Sequence, residues 1–262
     1  MSAISDDCMY KECDGTGLIF VKDHEEKREF MRECKCKAVK QIERKLKSAQ
    51  IPEEFKKANI NSFKIDIYQT PQAKKVAETA KIVTVNFVKN FKEMMNQGKG
   101  LYFYSKIKGS GKTRLAASVL NAVVKTSDKL DKPLRFYYTS TSDLLEEIKK
   151  TFNSDSKVKS EQILEAVKTA DLLVLDDIGV EKVTDWVEET FTRVLDYRLQ
   201  NKKVTIFTSN LTIEQLDMKY QQGRVSSRIE KMSFPVAMPE ESIRKKLARS
   251  ENEDLQELLY KR

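Results

Sequence analysis

Strand-like and helix-like segments alternate along this chain from about residue 100 to its end. The strand-like segments are short and mostly apolar, which is typical of strands that are covered on both faces. This alternation predicts an α/β fold, in which helices flank both faces of a parallel sheet. With 262 residues, the chain is long enough for one such domain and a small module. The predicted strands are Leu101–Tyr104, Arg135–Tyr138, Leu172–Leu175, Val204–Thr208 and Ser233–Met238.

A glycine-containing loop follows the first predicted strand. It matches the end of the phosphate-binding pattern G-x-x-x-x-G-K-[ST] at Gly109, Ser110, Gly111, Lys112 and Thr113. The two glycines can adopt positive φ, which lets consecutive backbone N–H groups converge on one phosphate. The N-terminus of the following helix adds partial positive charge. We expect Lys112 to reach the β- and γ-phosphates of ATP and the Thr113 hydroxyl to hold Mg²⁺.

One position departs from this pattern, because Lys106 stands where the first glycine is usual. That glycine eases a turn and supplies no phosphate ligand that another backbone N–H could not supply. We therefore expect the site to be retained. The alternative is a chance match within a turn that begins a helix.

A second motif argues against a chance match. The apolar segment Leu172–Leu175 ends in Asp176 and Asp177, the arrangement of a Walker B motif. At the carboxyl end of a strand, Asp176 can orient Mg²⁺ and its waters, and Asp177 can orient or deprotonate an attacking water. An aspartate is one methylene shorter than the more usual glutamate, so we expect slow hydrolysis. Glu181 is a reserve candidate for the same task.

The next predicted strand also ends in polar residues, Thr208, Ser209 and Asn210. Beside the γ-phosphate, Asn210 can position a water molecule. The alternative is that Asn210 caps the helix that follows Thr212. The sequence alone favours neither interpretation.

All four cysteines lie within the first 36 residues, at Cys8, Cys13, Cys34 and Cys36. Four thiolates suit Zn²⁺ in tetrahedral coordination, and disulfides are rare in cytoplasmic proteins. We predict a small zinc-binding module whose metal supplies folding energy, because the module has little core of its own. His24 is a candidate substitute ligand. The alternative is four reduced thiols without metal.

The formal net charge is +8, which favours polyanionic partners, nucleic acid above all. A lysine-rich solubilising surface is the alternative explanation. Met1–Asp7 is polar and acidic, unlike a signal peptide. No apolar stretch approaches the roughly 20 residues that span a bilayer. We therefore expect a cytoplasmic protein without a membrane partner.

Composition changes near Pro52, where a basic segment of helical pattern at about 37–50 ends. We predict three parts: a cysteine-rich module with a basic helix at 1–50, a linker and helical lead-in at 51–98, and the core at 99–262. Within the lead-in, apolar residues recur at helical spacing from about 71 to 97. In the core we expect helices at Lys112–Lys125, Ser142–Phe152, Glu161–Lys168, Trp186–Gln200, Ile213–Tyr220 and Glu240–Tyr260.

These motifs together resemble the AAA+ ATPases, and within them the replicative helicase loaders of the DnaC/DnaI type, phage forms included. The resemblance rests on KGSGKTRLA, LLVLDDIGVEKVTDWVEETFTRVLDYRLQNKKVTIFTSN, GRVSSRI and PEESIRKK. The cysteines followed by IPEEFKKANINSF add to it. It covers most of the chain. It implies a P-loop sheet of order 5-1-4-3-2, self-association with ATP, binding of single-stranded DNA, and delivery of a hexameric replicative helicase.

The resemblance also implies roles for two arginines. Arg228 matches the arginine that reaches the γ-phosphate of a neighbouring subunit, a task that suits a permanently charged, bidentate guanidinium. Arg244 matches the second sensor, which contacts phosphate within its own subunit. Without the resemblance, both would be taken for ordinary surface arginines.

We therefore predict a slow ATPase, stimulated by single-stranded DNA, that loads a replicative helicase during replication initiation and contacts it through the cysteine module. One alternative is the ATPase of an IstB-type transposition system, whose core has similar motifs. The cysteine module argues against it. Another is a helicase-binding inhibitor with weak ATPase activity. The intact residues Lys112, Thr113, Asp176 and Asp177 argue against that one.

Overall fold

The computed structural model describes residues 8, 10–23, 27–37, 40, 44–45, 49–130, 133–150, 157–220 and 222–260. The chain divides into two compact units, Met1–Ser48 and Ala49–Arg262. The second unit contains both the lead-in and the core. Most of the basic segment predicted to be helical at 37–50 lies outside the described residues.

The first unit contains a two-stranded antiparallel hairpin. Its strands are β1, Leu18–Asp23, and β2, Arg28–Glu33, and Leu18 lies opposite Glu33. Every side chain of β2 is exposed. Neither strand was predicted. Only β2 mixes charged and apolar residues throughout, whereas β1 begins with four consecutive apolar residues, Leu18–Val21, a strand signal as long as Leu172–Leu175.

The second unit is built on a five-stranded parallel sheet. The strands lie side by side in the order β4-β5-β6-β3-β7. Numbered from one to five along the chain, they have the predicted order 5-1-4-3-2, so the α/β AAA+ fold is confirmed. The strands are β3, Gly100–Tyr104; β4, Phe136–Ser140; β5, Leu172–Ile178; β6, Val204–Ser209; and β7, Ser233–Ala237.

Nine α-helices of at least seven residues accompany this sheet in the described part of the second unit. They are α1, Pro71–Lys89; α2, Phe91–Gln97; α3, Lys112–Thr126; α4, Thr141–Lys150; α5, Lys157–Thr169; α6, Asp185–Gln200; α7, Ile213–Lys219; α8, Arg224–Met232; and α9, Ile243–Leu259. Across the described ranges, none of the helices has the length and apolar character needed to cross a membrane.

The predicted helices differ from the structure in several places. Helix α5 begins at Lys157 rather than at Glu161. The segment predicted to be helical at 71–97 forms two helices that meet at Asn90. Helix α9 begins at Ile243, after the Ser242 side chain caps it by accepting from Lys245 N–H, rather than at residue 240. Helix α8 was not predicted. Four of its nine residues are charged, and a glycine, Gly223, precedes it, so its apolar pattern is short.

Burial explains why the central strands were easy to locate. Leu172–Leu175 of β5 are 0% exposed, and every residue of β6 is buried. Helices cover both faces of such strands, so their sequences are continuously apolar. Because all five strands are parallel, their carboxyl ends lie along one edge of the sheet, where the loop after β3 meets the polar residues at the ends of β5 and β6.

Candidate nucleotide-binding site and metal centre

A cavity of about 550 Å³ lies where the phosphate loop, the end of β5 and the start of α9 meet. Ligand pockets in proteins typically measure about 300–1,000 Å³. The polar part of its lining includes the loop residues 108–114, Asp177, Asn210 and Arg244. Phe55, Ile243 and Leu247 are among the apolar lining residues. The cavity therefore combines a cationic, N–H-rich loop with an apolar surface.

The two glycines of the loop have the predicted conformation. Gly109 has φ of 78° and Gly111 has φ of 98°. A Cβ at Gly109 would lie 2.8 Å from Arg244 Cβ, and one at Gly111 would lie 3.0 Å from Phe63 Cε2. Both positions therefore require glycine for the backbone angle and for the space.

Lys106 does not need to be glycine. It is not among the described residues with positive φ, and its side chain is exposed. Its backbone N–H donates to Glu240 Oε1 at 3.0 Å. A residue with a side chain therefore fits the loop entrance without strain.

Lys112 opens α3 and is only 5% exposed. Its Nζ donates to the carbonyl oxygens of Ser105 at 3.2 Å and Ile107 at 3.0 Å. Burial lowers the pKa of Lys112, and the nearby Asp177 carboxylate raises it in part. The ammonium thus sits inside the loop, where it faces weak neutral acceptors that a phosphate can replace.

Asp176 is held by three hydroxyl groups. Its Oδ1 accepts from Thr113 Oγ1 at 3.1 Å and from Thr208 Oγ1 at 2.5 Å. Its Oδ2 accepts from Tyr138 Oη at 2.7 Å. Burial raises the pKa of Tyr138, and the charge of Asp176 raises it further, so this phenol remains a donor. The predicted Mg²⁺ ligands Thr113 and Asp176 are in direct contact.

Asp177 has an unusual backbone. Its φ is 55°, in the left-handed region that residues with a Cβ rarely adopt and that aspartate tolerates better than most. Its N–H donates to Thr208 Oγ1 at 2.9 Å, and its carbonyl accepts from Thr141 Oγ1 at 2.9 Å. Burial raises the pKa of Asp177, and the charge of Asp176 adds to the rise. These features suit a proton acceptor held in a fixed position.

Asn210 lines the cavity, and its Oδ1 is one of three buried side-chain polar atoms without a hydrogen-bond partner across the described part of the chain. Helix α7 is capped instead by Thr212, whose side chain forms a capping box with Gln215. The cap alternative for Asn210 is therefore wrong. A buried acceptor without a donor beside a cavity fits a water molecule or ligand.

The structure places the remaining candidates differently. Arg244 lies in the first turn of α9 and lines the cavity. Arg228 lies on α8 outside the cavity lining, where its Nε and Nη2 donate to both carboxylate oxygens of Asp196, the second at 2.9 Å. The Glu181 carboxylate accepts from Gly179 N–H at 3.1 Å and from the Tyr220 hydroxyl. The Glu181 side chain is therefore engaged in hydrogen bonds within the fold, and it does not line the cavity.

Several residues of this site were not found from the sequence. Tyr138 lies within a strand, where it resembles a core residue. Thr208 was noted as a polar residue at the end of a strand, but no contact with Asp176 was predicted for it. From the lead-in, Tyr68 Oη donates to the Ser110 carbonyl at 2.7 Å, and Phe55 lines the cavity. The segment IPEEFKKANINSF carried a family resemblance, which is the one signal that could have directed attention to the lead-in.

The four cysteines of the first unit form a compact buried cluster. Their sulfurs lie within 4.8 Å of one another, with Cys8 Sγ 3.7 Å from Cys34 Sγ and Cys13 Sγ 3.4 Å from Cys36 Sγ. None is in a disulfide. Tetrahedral ligation with Zn–S bonds of about 2.3 Å requires sulfurs about 3.8 Å apart, so the cluster fits Zn²⁺. His24 lies outside the described residues.

The sheet order and the loop at its edge define an AAA+ nucleotide-binding core. The profile of a family described as IstB-like ATP binding protein matches residues 27–251, and the chain belongs to this family. The family description agrees with the ATP predicted from the loop. It also carries the name of the transposition ATPases considered as an alternative.

Two proteins to which the chain is similar are replicative helicase loaders. The replicative helicase loader DnaI of Bacillus subtilis (strain 168) is 31% identical over 171 residues, which are 61% of this chain and 51% of DnaI. DnaC of Buchnera aphidicola subsp. Baizongia pistaciae is 28% identical over 138 residues, 53% of this chain and 50% of DnaC. The chain thus spans about half the length of each.

A solved structure agrees with this assignment. The crystal structure of the DnaC helicase loader is 27% identical and superposes with a TM-score of 0.58, covering 71% of this chain and 99% of that one. The resemblance to AAA+ loaders of the DnaC/DnaI type is therefore confirmed.

Proposed function

We propose that this chain is an ATP-dependent loader of a replicative DNA helicase, acting in the cytoplasm during replication initiation. The observation that carries the proposal is one cavity that gathers the phosphate loop, Asp177, Asn210 and Arg244 in a chain similar to two named loaders. ATP is bound by Gly109, Ser110, Gly111, Lys112, Thr113, Asp176 and Arg244.

The residues in and beside the cavity have different roles in ATP hydrolysis. Thr113 and Asp176 would hold Mg²⁺, which neutralises phosphate charge when bound. Lys112 and Arg244 bind phosphate oxygens. Asp177 accepts a proton from the attacking water, and the unpartnered Asn210 Oδ1 orients that water. The shorter reach of aspartate makes turnover slow, so the protein is a switch more than a fast enzyme.

Self-association and binding of single-stranded DNA are the remaining parts of the proposed function. Arg228 of one subunit supplies positive charge to the γ-phosphate bound by the next, so ATP favours self-association. Single-stranded DNA binds the assembled form and stimulates hydrolysis, and hydrolysis then releases the helicase. The net charge of +8 supports a polyanionic partner.

The cysteine cluster is the proposed helicase-contacting module, folded around Zn²⁺ held by Cys8, Cys13, Cys34 and Cys36. Buried thiolates packed this closely need a cation to offset their charges. The metal would stabilise a unit whose hairpin has one strand, β2, with every side chain exposed.

Metal analysis of the purified chain should find about one zinc per molecule, and Cys34→Ser should lose it, because three sulfurs bind zinc more weakly than four. Helicase binding should be lost with the metal, whereas ATP binding should remain, since its residues belong to the second unit. Lys37→Ser, beside Cys36 but without a thiol, is the matched control. A zinc-free chain that still binds helicase would overturn the proposed module.

Capture of the hexameric replicative helicase of the same host tests the proposed function. In the presence of ATP, the immobilised chain should retain the helicase and transfer it to circular single-stranded DNA. For the Lys112→Ala variant, adding ATP should increase neither retention nor transfer. Lys125→Ala, an exposed lysine in the last turn of the same helix and outside the cavity lining, serves as the control.

The two alternatives predict other results. An inhibitor would retain the helicase but block its transfer to DNA. An IstB-type transposition ATPase would not retain it at all, and the family description is the observation that favours this second candidate.

A further inference from the structure

Tyr138 connects the core of the sheet to the proposed magnesium site. It is 5% exposed, and its hydroxyl donates to Asp176 Oδ2 at 2.7 Å. Strands β4 and β5 are parallel neighbours, with Ser140 opposite Asp176. The pairing of the two strands therefore places the phenol beside a carboxylate 38 residues away in the chain.

The two carboxylate oxygens of Asp176 have different surroundings. Oδ2 is taken by Tyr138, whereas Oδ1 contacts Thr113, the hydroxyl of the phosphate loop, at 3.1 Å. Thr208 donates to the same Oδ1 at 2.5 Å. Rotation of the carboxylate would break hydrogen bonds at both oxygens, so its orientation toward Thr113 is fixed.

We propose that Tyr138 is a positioning residue for magnesium binding, because its hydroxyl fixes Asp176 with Oδ1 directed at Thr113. The inference rests on the proposed function, since it requires nucleotide-bound Mg²⁺ at this site. Groups that hydrogen-bond to metal ligands typically change metal affinity by about 10- to 100-fold. Without the phenol, Oδ2 would be a buried charged acceptor lacking one donor, and the carboxylate would reorient.

Tyr137 supplies a matched comparison on the same strand. It is 8% exposed, but successive strand residues point to opposite faces. Tyr137 packs in the hydrophobic cluster that includes Leu173 and Leu175. Tyr137→Phe therefore removes the hydroxyl of a similarly buried tyrosine without removing a hydrogen bond to Asp176.

The experiment titrates Mg²⁺ while the full chain binds a fluorescent ATP analogue. Tyr138→Phe should raise the Mg²⁺ concentration for half-maximal binding about 10-fold or more, and nucleotide affinity in EDTA should not change. Tyr137→Phe should leave both quantities unchanged. Thermal unfolding of each variant is measured in parallel, because a purely structural defect would lower nucleotide affinity with and without Mg²⁺.

Asp176→Asn distinguishes this inference from the proposed function. If Tyr138 acts through Asp176, Tyr138→Phe should add little in the Asp176→Asn background. The role of Tyr138 is overturned if Tyr138→Phe raises the required Mg²⁺ concentration equally in the wild-type and Asp176→Asn backgrounds. It is also overturned if Asp176→Asn raises that concentration and Tyr138→Phe does not. Either result leaves the nucleotide site intact. If Asp176→Asn itself leaves Mg²⁺ dependence unchanged, the magnesium site and the role of Tyr138 are both wrong.

Discussion

Replacing Arg228 with alanine is expected to reduce hydrolysis stimulated by single-stranded DNA by about 10³-fold or more, the usual contribution of an arginine finger. ATP binding by the isolated chain should not change, because Arg228 does not line the cavity. The reason is electrostatic: a guanidinium from a second subunit adds positive charge where it develops in the transition state. Single-turnover hydrolysis with and without DNA measures the effect.

The ion pair with Asp196 provides the control. Arg228 and Asp196 side chains are 23% and 37% exposed, and pairs this accessible typically contribute about 1 kcal/mol or less to stability. Asp196→Ala breaks the same pair but keeps the guanidinium. If Asp196→Ala loses hydrolysis as fully as Arg228→Ala, the pair is structural and the finger role is wrong.

Mixing variants tests whether the site is shared between subunits. Lys112→Ala keeps Arg228, and Arg228→Ala keeps the phosphate loop, so a mixed assembly contains interfaces with both intact. Neither variant has such an interface alone, and the mixture should therefore recover part of the activity. If the mixture stays inactive, Arg228 does not act across an interface, and the exposed Arg224 becomes the next residue to test.

Asp177→Asn is expected to lower ATP turnover by about 10²- to 10⁴-fold, the range typical of a lost general base, while ATP still binds. Asparagine has nearly the same shape and tolerates the left-handed backbone at this position. Hydrolysis under saturating ATP and binding of a labelled nucleotide separate the two effects.

The pH dependence of turnover gives a second readout for Asp177. Burial raises the pKa of this carboxyl, and a base must be unprotonated to act. Turnover should therefore fall as pH decreases through that raised pKa, and Asp177→Asn should lose this limb of the profile. Glu181→Gln is the matched control, since it keeps an acceptor for Gly179 N–H. Unchanged turnover in Asp177→Asn would remove its catalytic assignment.

Much of the nucleotide site could be predicted because its parts are local in sequence. The loop residues Gly109 to Thr113 are contiguous and follow strand β3. Asp176 and Asp177 are adjacent and lie near the end of the mostly apolar strand β5. Parallel pairing brings strand ends together at one edge, so Asp177 and Asn210 were expected near the loop. Both line the cavity with it. The positions of the four cysteines in the sequence likewise predicted a cluster, and in the structure their sulfurs lie within 4.8 Å of one another.

Contacts between distant segments could not be predicted in this way. The hydroxyl of Tyr68 reaches Ser110 across 42 residues, and Arg228 pairs with Asp196 across 32. The hairpin of the first unit and helix α8 were also missed. Helix α8 is short and carries four charged residues, and β2 mixes charged and apolar residues, but the apolar start of β1 was a signal that went unused. Nothing in the local spacing of any of these residues indicates its partner.

The sequence by itself determined the chemistry available to this protein: a phosphate loop, two carboxylates after a buried strand, and four thiols. It could do so because periodicity and short motifs report interactions between residues a few positions apart. The tertiary structure alone decided which hydroxyls orient Asp176, and that Arg228 pairs with Asp196 outside the lining of its own cavity. Those outcomes depend on strand register and helix packing, which join segments whose separation in the sequence carries no signal.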